Sequence, residues 1–245
     1  MTFLRFAVLR VLFLCAGLMA GVGVMAQAPT FPNRPIKLVV PFVPGGTLDV
    51  VARLMARNMQ DSLKQAVVVE NRASAGGVVG VDYVAKSPAD GYTLVLNAAT
   101  PMVTVVSLQA TPYDLIKDLV PVAQVSTFDY VLAVNVKSPI NSMQDLIQMA
   151  RKQPGKLNYA SAGVGTGPHL AGETFKAMTQ TSMTHVPYKG AAPAGVDLAA
   201  GRIQVSLLGV GSVRSQLAAG TVRILAVAAP RRIPAIPNVP TFAEA

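Results

Sequence analysis

The chain has one cysteine, no tryptophan and two histidines in 245 residues. Each scarcity removes a class of function. Cys15 falls in an N-terminal apolar segment, Val11 to Val24, that follows Arg5 and Arg10 and ends in Met25-Ala26-Gln27-Ala28. A short basic start, an apolar centre and a small-residue exit make a cleavable export leader over residues 1–28. The apolar run is shorter than the roughly 20 residues a membrane span needs. Ala26-Gln27-Ala28 favours cleavage after Ala28, and Val24-Met25-Ala26 permits it after Ala26. Bulky residues before the thiol, Leu12-Phe13-Leu14-Cys15, make a poor lipoprotein site. The mature chain therefore has no thiol, which excludes disulfides, thiol catalysis and cysteine metal sites. His169 and His185 have no acidic cluster near them in sequence, which argues against a bound metal. No nucleophile elbow, Walker loop or zinc-protease helix is present. Scattered basic residues without a stacking motif argue against nucleic acid.

What is present is a basic, lightly charged chain. Charged residues make up 13% and aromatics 6%, which points to packed α/β layers rather than disorder. Removing Arg5 and Arg10 with the leader takes the formal charge from +9 to +7, a balance that suits an anionic partner. The roughly 217 residues left after Ala28 suffice for two small domains or one large one.

Two similar units stand out. Lys37 to Val43 is an apolar strand that runs through Pro44-Gly45-Gly46-Thr47 into a helix, and Lys156 to Ser161 runs through Ala162-Gly163-Val164-Gly165-Thr166 into another. Helix starts leave N–H groups without intrahelical partners, and the dipole behind them favours an anion. Two such units imply two lobes that grip one small anion. The second loop superficially resembles a dinucleotide fingerprint, but its third glycine, Gly167, comes one residue early for that spacing, so no cofactor is expected.

Alternating apolar runs and amphipathic stretches predict βα units and a largely parallel sheet. Strands are expected at Ile36–Phe42, Val67–Glu70, Tyr92–Leu96, Val122–Val125, Tyr130–Val134, Thr184–Pro187, Ile203–Leu208 and Arg223–Ala228. Thr47 is expected to cap a helix from Leu48 to Leu63 with Val51, Leu54, Met55 and Met59 as its apolar stripe. Further helices are predicted at Val81–Ala85, Ser142–Arg151, Pro193–Ala200 and Val213–Ala219, and from the second loop to Thr179, while Pro101 to Val120 reads as irregular.

Several landmarks resemble the periplasmic solute receptors of tripartite tricarboxylate transporters, the Bug-type family. They include Phe31-Pro32-Asn33-Arg34-Pro35-Ile36, Pro41-Phe42-Val43-Pro44-Gly45-Gly46 with Asp49, Val69-Glu70-Asn71-Arg72 with Ala75-Gly76-Gly77, and Asp90-Gly91-Tyr92-Thr93-Leu94. Pro154-Gly155-Lys156-Leu157-Asn158-Tyr159-Ala160-Ser161, His169-Leu170-Ala171-Gly172-Glu173, His185-Val186-Pro187-Tyr188-Lys189-Gly190 and Pro237-Asn238-Val239-Pro240-Thr241 continue the match in one order. The resemblance implies a two-lobe type II periplasmic binding fold with a hinge. Lobe one would use residues 29–125 and return at 226–245, incomplete at its C-terminal end, with lobe two at 126–225. It further implies a periplasmic, monomeric, non-enzymatic receptor that binds a small organic acid between its lobes and passes it to membrane permease subunits.

The same resemblance implies the ligand-binding residues. Lobe one would offer Val43, Pro44, Gly45, Gly46, Leu48 and Asp49, with Asn97 and Ala98 closing that side. Lobe two would offer Ser161, Ala162, Gly163, Gly165 and Thr166, with His169, Tyr188, Lys189 and Gly190. Leu48 stands where family members often have a hydroxyl, and Gly209-Val210-Gly211-Ser212 stands where they often have an acidic-Asn pair, so side-chain polarity at the cleft is reduced. Asp49 is read either as a helix-start acid or as a ligand contact, and Lys189 either as a carboxylate partner or as a solvated side chain. Two other function classes stay open on the residues: a ligand-sensing module for a membrane kinase, and a secreted hydrolase using Ser161 with His169.

Overall fold

The computed structural model describes residues 30–245. The expected leader, its cleavage site and Cys15 lie outside the described residues. Residues Arg34–Ala245 form one compact unit.

The first layer is a three-stranded parallel sheet of order β2-β1-β3, with β1 at Ile36–Val40, β2 at Val67–Asn71 and β3 at Thr93–Val95. Helix α1, Thr47–Leu63, packs small Ala52 and Ala56 onto this sheet, with Val51, Met55 and Met59 beside them. Leu54, expected in that stripe, is exposed. The cap is also not where the sequence put it. Gly46 is the N-cap, Thr47 is the first helical residue, and no side chain of the helix's own start closes it. After β2, a short 3₁₀ turn at Ala75–Gly77 leads into helix α2, Val78–Ala85.

Helix α3, Ala99–Leu108, occupies part of the stretch expected to be irregular. Its β-branched run of Thr and Val has weak intrinsic helix propensity, which hid it. Pro101 falls in the first turn, where a missing N–H costs nothing. Packing then decides the matter. Val105 is buried, and a Cβ added at Gly76 or at Gly165 would fall 2.8 Å from its Cγ2. The strand expected at Val122–Val125 does not form, and Val122 and Val125 are exposed.

The second layer is a five-stranded sheet of order β6-β5-β7-β4-β8. Its strands are β4 at Tyr130–Asn135, β5 at Asn158–Ser161, β6 at Thr184–Pro187, β7 at Val205–Gly209 and β8 at Val222–Ala228. β5 runs parallel to β6 and β7, but β4 is antiparallel to both β7 and β8. The sheet is therefore mixed rather than largely parallel. Val131 to Val134 are fully buried, the signature of a strand covered on both faces. Helices α4 (Met143–Lys152), α5 (Gly167–Thr179), α6 (Ala191–Ala199) and α7 (Val210–Ala218) connect these strands. α4 starts in a capping box between Ser142 and Asp145 and ends on Arg151 and Lys152, both favourable to its dipole.

Each sheet with its helices makes one lobe of an α/β, two-lobe fold. The segment 226–245 does not return to the smaller sheet. β8 pairs with β4, Val227 bridges to Thr241, and Phe242 and Ala245 pack on the core of the five-stranded sheet.

Candidate functional site

Five helices begin at one cavity. It is lined by Gly46, Thr47, Leu48 and Asp49 at the start of α1, Ala98 and Pro101 at α3, and Thr166, Gly167 and Pro168 at α5. Ala191 at α6 and Gly209 and Ser212 at α7 complete those starts, with Phe42, Val43, Phe128, Tyr130 and Ala162 between them. The space is about 510 Å³ counted with its open mouth. Both lobes contribute walls, and hydrogen bonds between them include three beside the cavity. Val43 N–H donates to the Lys189 carbonyl at 3.3 Å, the Thr104 hydroxyl donates to the Gly165 carbonyl, and Thr47 meets Ser212.

The lining is mainly carbon and backbone. Among the described residues, Asp49 is the one carboxylate side chain that lines it, and no lysine, arginine or histidine joins it. Asp49 is itself fully engaged. Arg53 donates Nε to Oδ2 and Nη2 to Oδ1, both at 3.0 Å, while Gly45 N–H reaches Oδ2 at 3.1 Å and Asn71 Nδ2 reaches Oδ1 at 3.0 Å. Burial pushes this carboxyl up, but these hydrogen bonds and the Arg53 charge outweigh it and hold it below the usual carboxylate range. The positive ends of the helices are thus the main attraction for a negative group in the cavity.

Tyr130 rises from β4 to the mouth of α5. A Cβ at Gly167 would lie 2.1 Å from its hydroxyl, so only glycine admits the ring there. Burial raises the Tyr130 phenol, partly opposed by its hydrogen bond with Thr100, so it stays protonated as a donor at neutral pH. Phe128 stands edge-on to Tyr130 with ring centres 5.5 Å apart.

The second glycine-rich loop is fixed from behind by the two histidines. His185 Nε2 meets Ser161 Oγ at 2.7 Å, and that oxygen accepts the Gly163 N–H at 3.1 Å. His169 Nδ1 accepts the Gly165 N–H at 3.2 Å, so this nitrogen carries no proton. The imidazoles stack with centres 4.2 Å apart, and Tyr159 covers the other face of His185 at 4.8 Å. Burial lowers both histidines, His185 to about 4, with the neighbouring His169 charge adding to the effect there.

Of the residues expected from sequence, Val43, Gly46, Leu48, Asp49, Ala98, Ala162 and Thr166 line the cavity. The others stand outside its wall. Pro44 and Gly45 are exposed, and Asn97 Oδ1 accepts the Ala98 N–H at 2.8 Å. Ser161, Gly163, Gly165 and His169 are not among the cavity's lining residues and pair with one another, Ser161 with Gly163 and His169 with Gly165. Tyr188 donates its hydroxyl to Asp197 at 2.7 Å, Lys189 is exposed, and Gly190 is the N-cap of α6 with φ 152°. Ser161 pairs with His185, not with the expected His169, and neither Ser161 nor His169 lines the cavity. The sequence reading missed Phe42, Thr47, Pro101, Phe128, Tyr130, Gly167, Pro168, Ala191, Gly209 and Ser212. Glycine just ahead of an apolar helix, as at Gly209, was the one signal that could have found some of them.

Comparison with known proteins gives one consistent result. The model of the tripartite tricarboxylate transporter family receptor matches residues 51–245. A UPF0065 protein from the tcbD-tcbE intergenic region of Pseudomonas sp. (strain P51) is 44% identical over 88% of this chain and 64% of its own length. BugT of Bordetella pertussis is 42% identical over 92% of this chain and 70% of its own. The solved structure of R. palustris Rpa4515 with adipate superposes with a TM-score of 0.84 at 38% identity, covering 88% of this chain and 72% of that one. The chain thus spans about two thirds of the length of these curated relatives.

Proposed function

The chain belongs to the tripartite tricarboxylate transporter receptor family, and from that premise we propose that it is a periplasmic, non-catalytic receptor for a small carboxylate. The convergence of five helix starts on one cavity without a lysine, arginine or histidine side chain in its wall carries the reading. A carboxylate there is held by oriented amides, which cost no reorganisation on binding. The N–H groups of Leu48 and Asp49 in α1, and of Gly167 and His169 in α5, have no acceptor within their helices. The ligand enters between the lobes, the lobes close on it, and the closed surface is what membrane permease subunits recognise. The sequence-read export leader supports the periplasmic location. The adipate held by the Rpa4515 relative supports an organic acid as cargo.

A thermal unfolding scan of the chain against a panel of small carboxylates tests this. A ligand at 100 times its dissociation constant adds about 2.7 kcal/mol. A shift for carboxylates and none for their amides is expected. No shift with any carboxylate overturns the receptor reading.

A further inference from the structure

The two ends of the cavity are not equivalent. α1 already carries an acid, Asp49, in its first turn, and Arg53 neutralises it. Loop amides are spent at both ends, ahead of α5 with Gly163 N–H on Ser161 and Gly165 N–H on His169, and on the α1 side likewise. Gly45 N–H is used by Asp49, Thr47 N–H by Ser212 and Ala98 N–H by Asn97. α5 has no acid in its first turn, and the Tyr130 hydroxyl lies against its first residue, Gly167. One end is thus prepared for an anion by a dipole and a phenol donor, while the other has its charge balanced in advance. Leu48, Phe42, Phe128 and Pro101 present carbon to the remaining space. Phe128 and Tyr130, held at right angles, offer the edge-and-face surroundings that suit a flat apolar group.

From this asymmetry we propose that the ligand is a monocarboxylate with an apolar body, its carboxylate at Gly167 beside the Tyr130 hydroxyl and its body against Leu48 and Phe128. This rests on the receptor reading and narrows it. A second carboxylate would have to leave water for a carbon wall beside an acid whose counter-charge is already taken, and an unpaired buried charge is strongly disfavoured. Hydroxyls on the body would meet Leu48 and Phe128 and lose their hydrogen bonds to water.

Calorimetric titration of the chain with benzoate, hexanoate, adipate, malate, citrate and benzamide decides it. Benzoate or hexanoate binds at least about tenfold more tightly than malate or citrate, the scale on which an apolar pocket discriminates. Benzamide, which lacks the charge, does not bind. Phe128→Ala and Leu48→Ser each weaken the apolar acid by about tenfold and leave the weak malate affinity nearly unchanged. Tyr130→Phe weakens every carboxylate alike. Adipate, malate or citrate binding most tightly overturns the monocarboxylate assignment and leaves the receptor reading standing. Failure of all the acids, with the chain folded by circular dichroism, overturns both.

Discussion

Ser212 caps helix α1 from the other lobe. Its Oγ accepts the Thr47 N–H at 3.2 Å and lies 2.8 Å from the Thr47 hydroxyl, at a helix start whose own N-cap, Gly46, has no side chain to offer. An oxygen that would ordinarily come from the residue before the helix is supplied across the cleft, so helix capping and lobe closure are one interaction.

Ser212→Ala should therefore weaken ligand binding by about 0.5–1.5 kcal/mol, the net worth of one such hydrogen bond. Thr47→Val should lose a similar amount, and the double variant should lose less than the two combined. Titration calorimetry gives the affinities, and small-angle scattering of the unliganded variants should show a more open particle. Additive losses would mean that the two hydroxyls act independently.

Gly167→Ala places a methyl on the Tyr130 hydroxyl. Overpacking of this kind costs about 1–3 kcal/mol. Tyr130→Ala in the same chain removes the ring that the methyl strikes, so the double variant should be less destabilised than the two single losses predict. Urea denaturation of the three variants measures this.

Asp49→Asn removes the charge that holds Arg53. A loss of about 1.5–3 kcal/mol is expected, as for hydrogen bonds to a charged group. The folded-state pKa of Asp49 lies below its unfolded value of about 3.9. Its stabilisation is complete above that unfolded value and is lost as pH falls through the folded one. The difference in stability between the wild type and Asp49→Asn, followed from pH 6 to pH 2, should shrink at the acid end.

His185 works with the opposite charge and the same slope. Its folded pKa is about 4, against about 6.5 when unfolded. Between these values the unfolded chain binds more protons, so stability rises with pH across that window, is complete above about 6.5 and is lost toward 4. Thermal unfolding from pH 4 to pH 7.5 should show this rise, and His185→Gln should flatten it. Because His185 braces Ser161 behind the second glycine-rich loop and stays neutral in the folded chain down to about pH 4, ligand affinity should hold across that interval and fall only as pH approaches 4.

Local chemistry was legible wherever a residue's partners lie close in sequence. Ser142 and Asp145 announce the start of α4, and Thr184–Pro187 is a strand both in the reading and in the structure. The two glycine-rich turns stand where strands β1 and β5 give way to helices α1 and α5, because a strand end and a helix start are set by neighbouring residues. The strong resemblance to the receptor family was readable for the same reason, as short motifs in a fixed order.

Tertiary structure decided what depends on residues far apart. α3 exists because Val105 fits notches at Gly76 and Gly165, which outweighs the poor helix propensity of its valines and threonines. The antiparallel course of β4, and the packing of residues 226–245 on the larger sheet, are pairings no local pattern encodes. Lys189 faces solvent just past β6, and Ser161 at the end of β5 meets His185 of the neighbouring strand β6, a pairing made only when the two strands join one sheet. The sequence by itself determined which strands end in glycine-rich turns that open helices. Only the folded chain decided that five helix starts share one cavity, that Tyr130 and Phe128 furnish it, and that Ser212 completes a helix 165 residues away. Helix dipoles and apolar walls act over a few ångströms of space, whatever the distance along the chain.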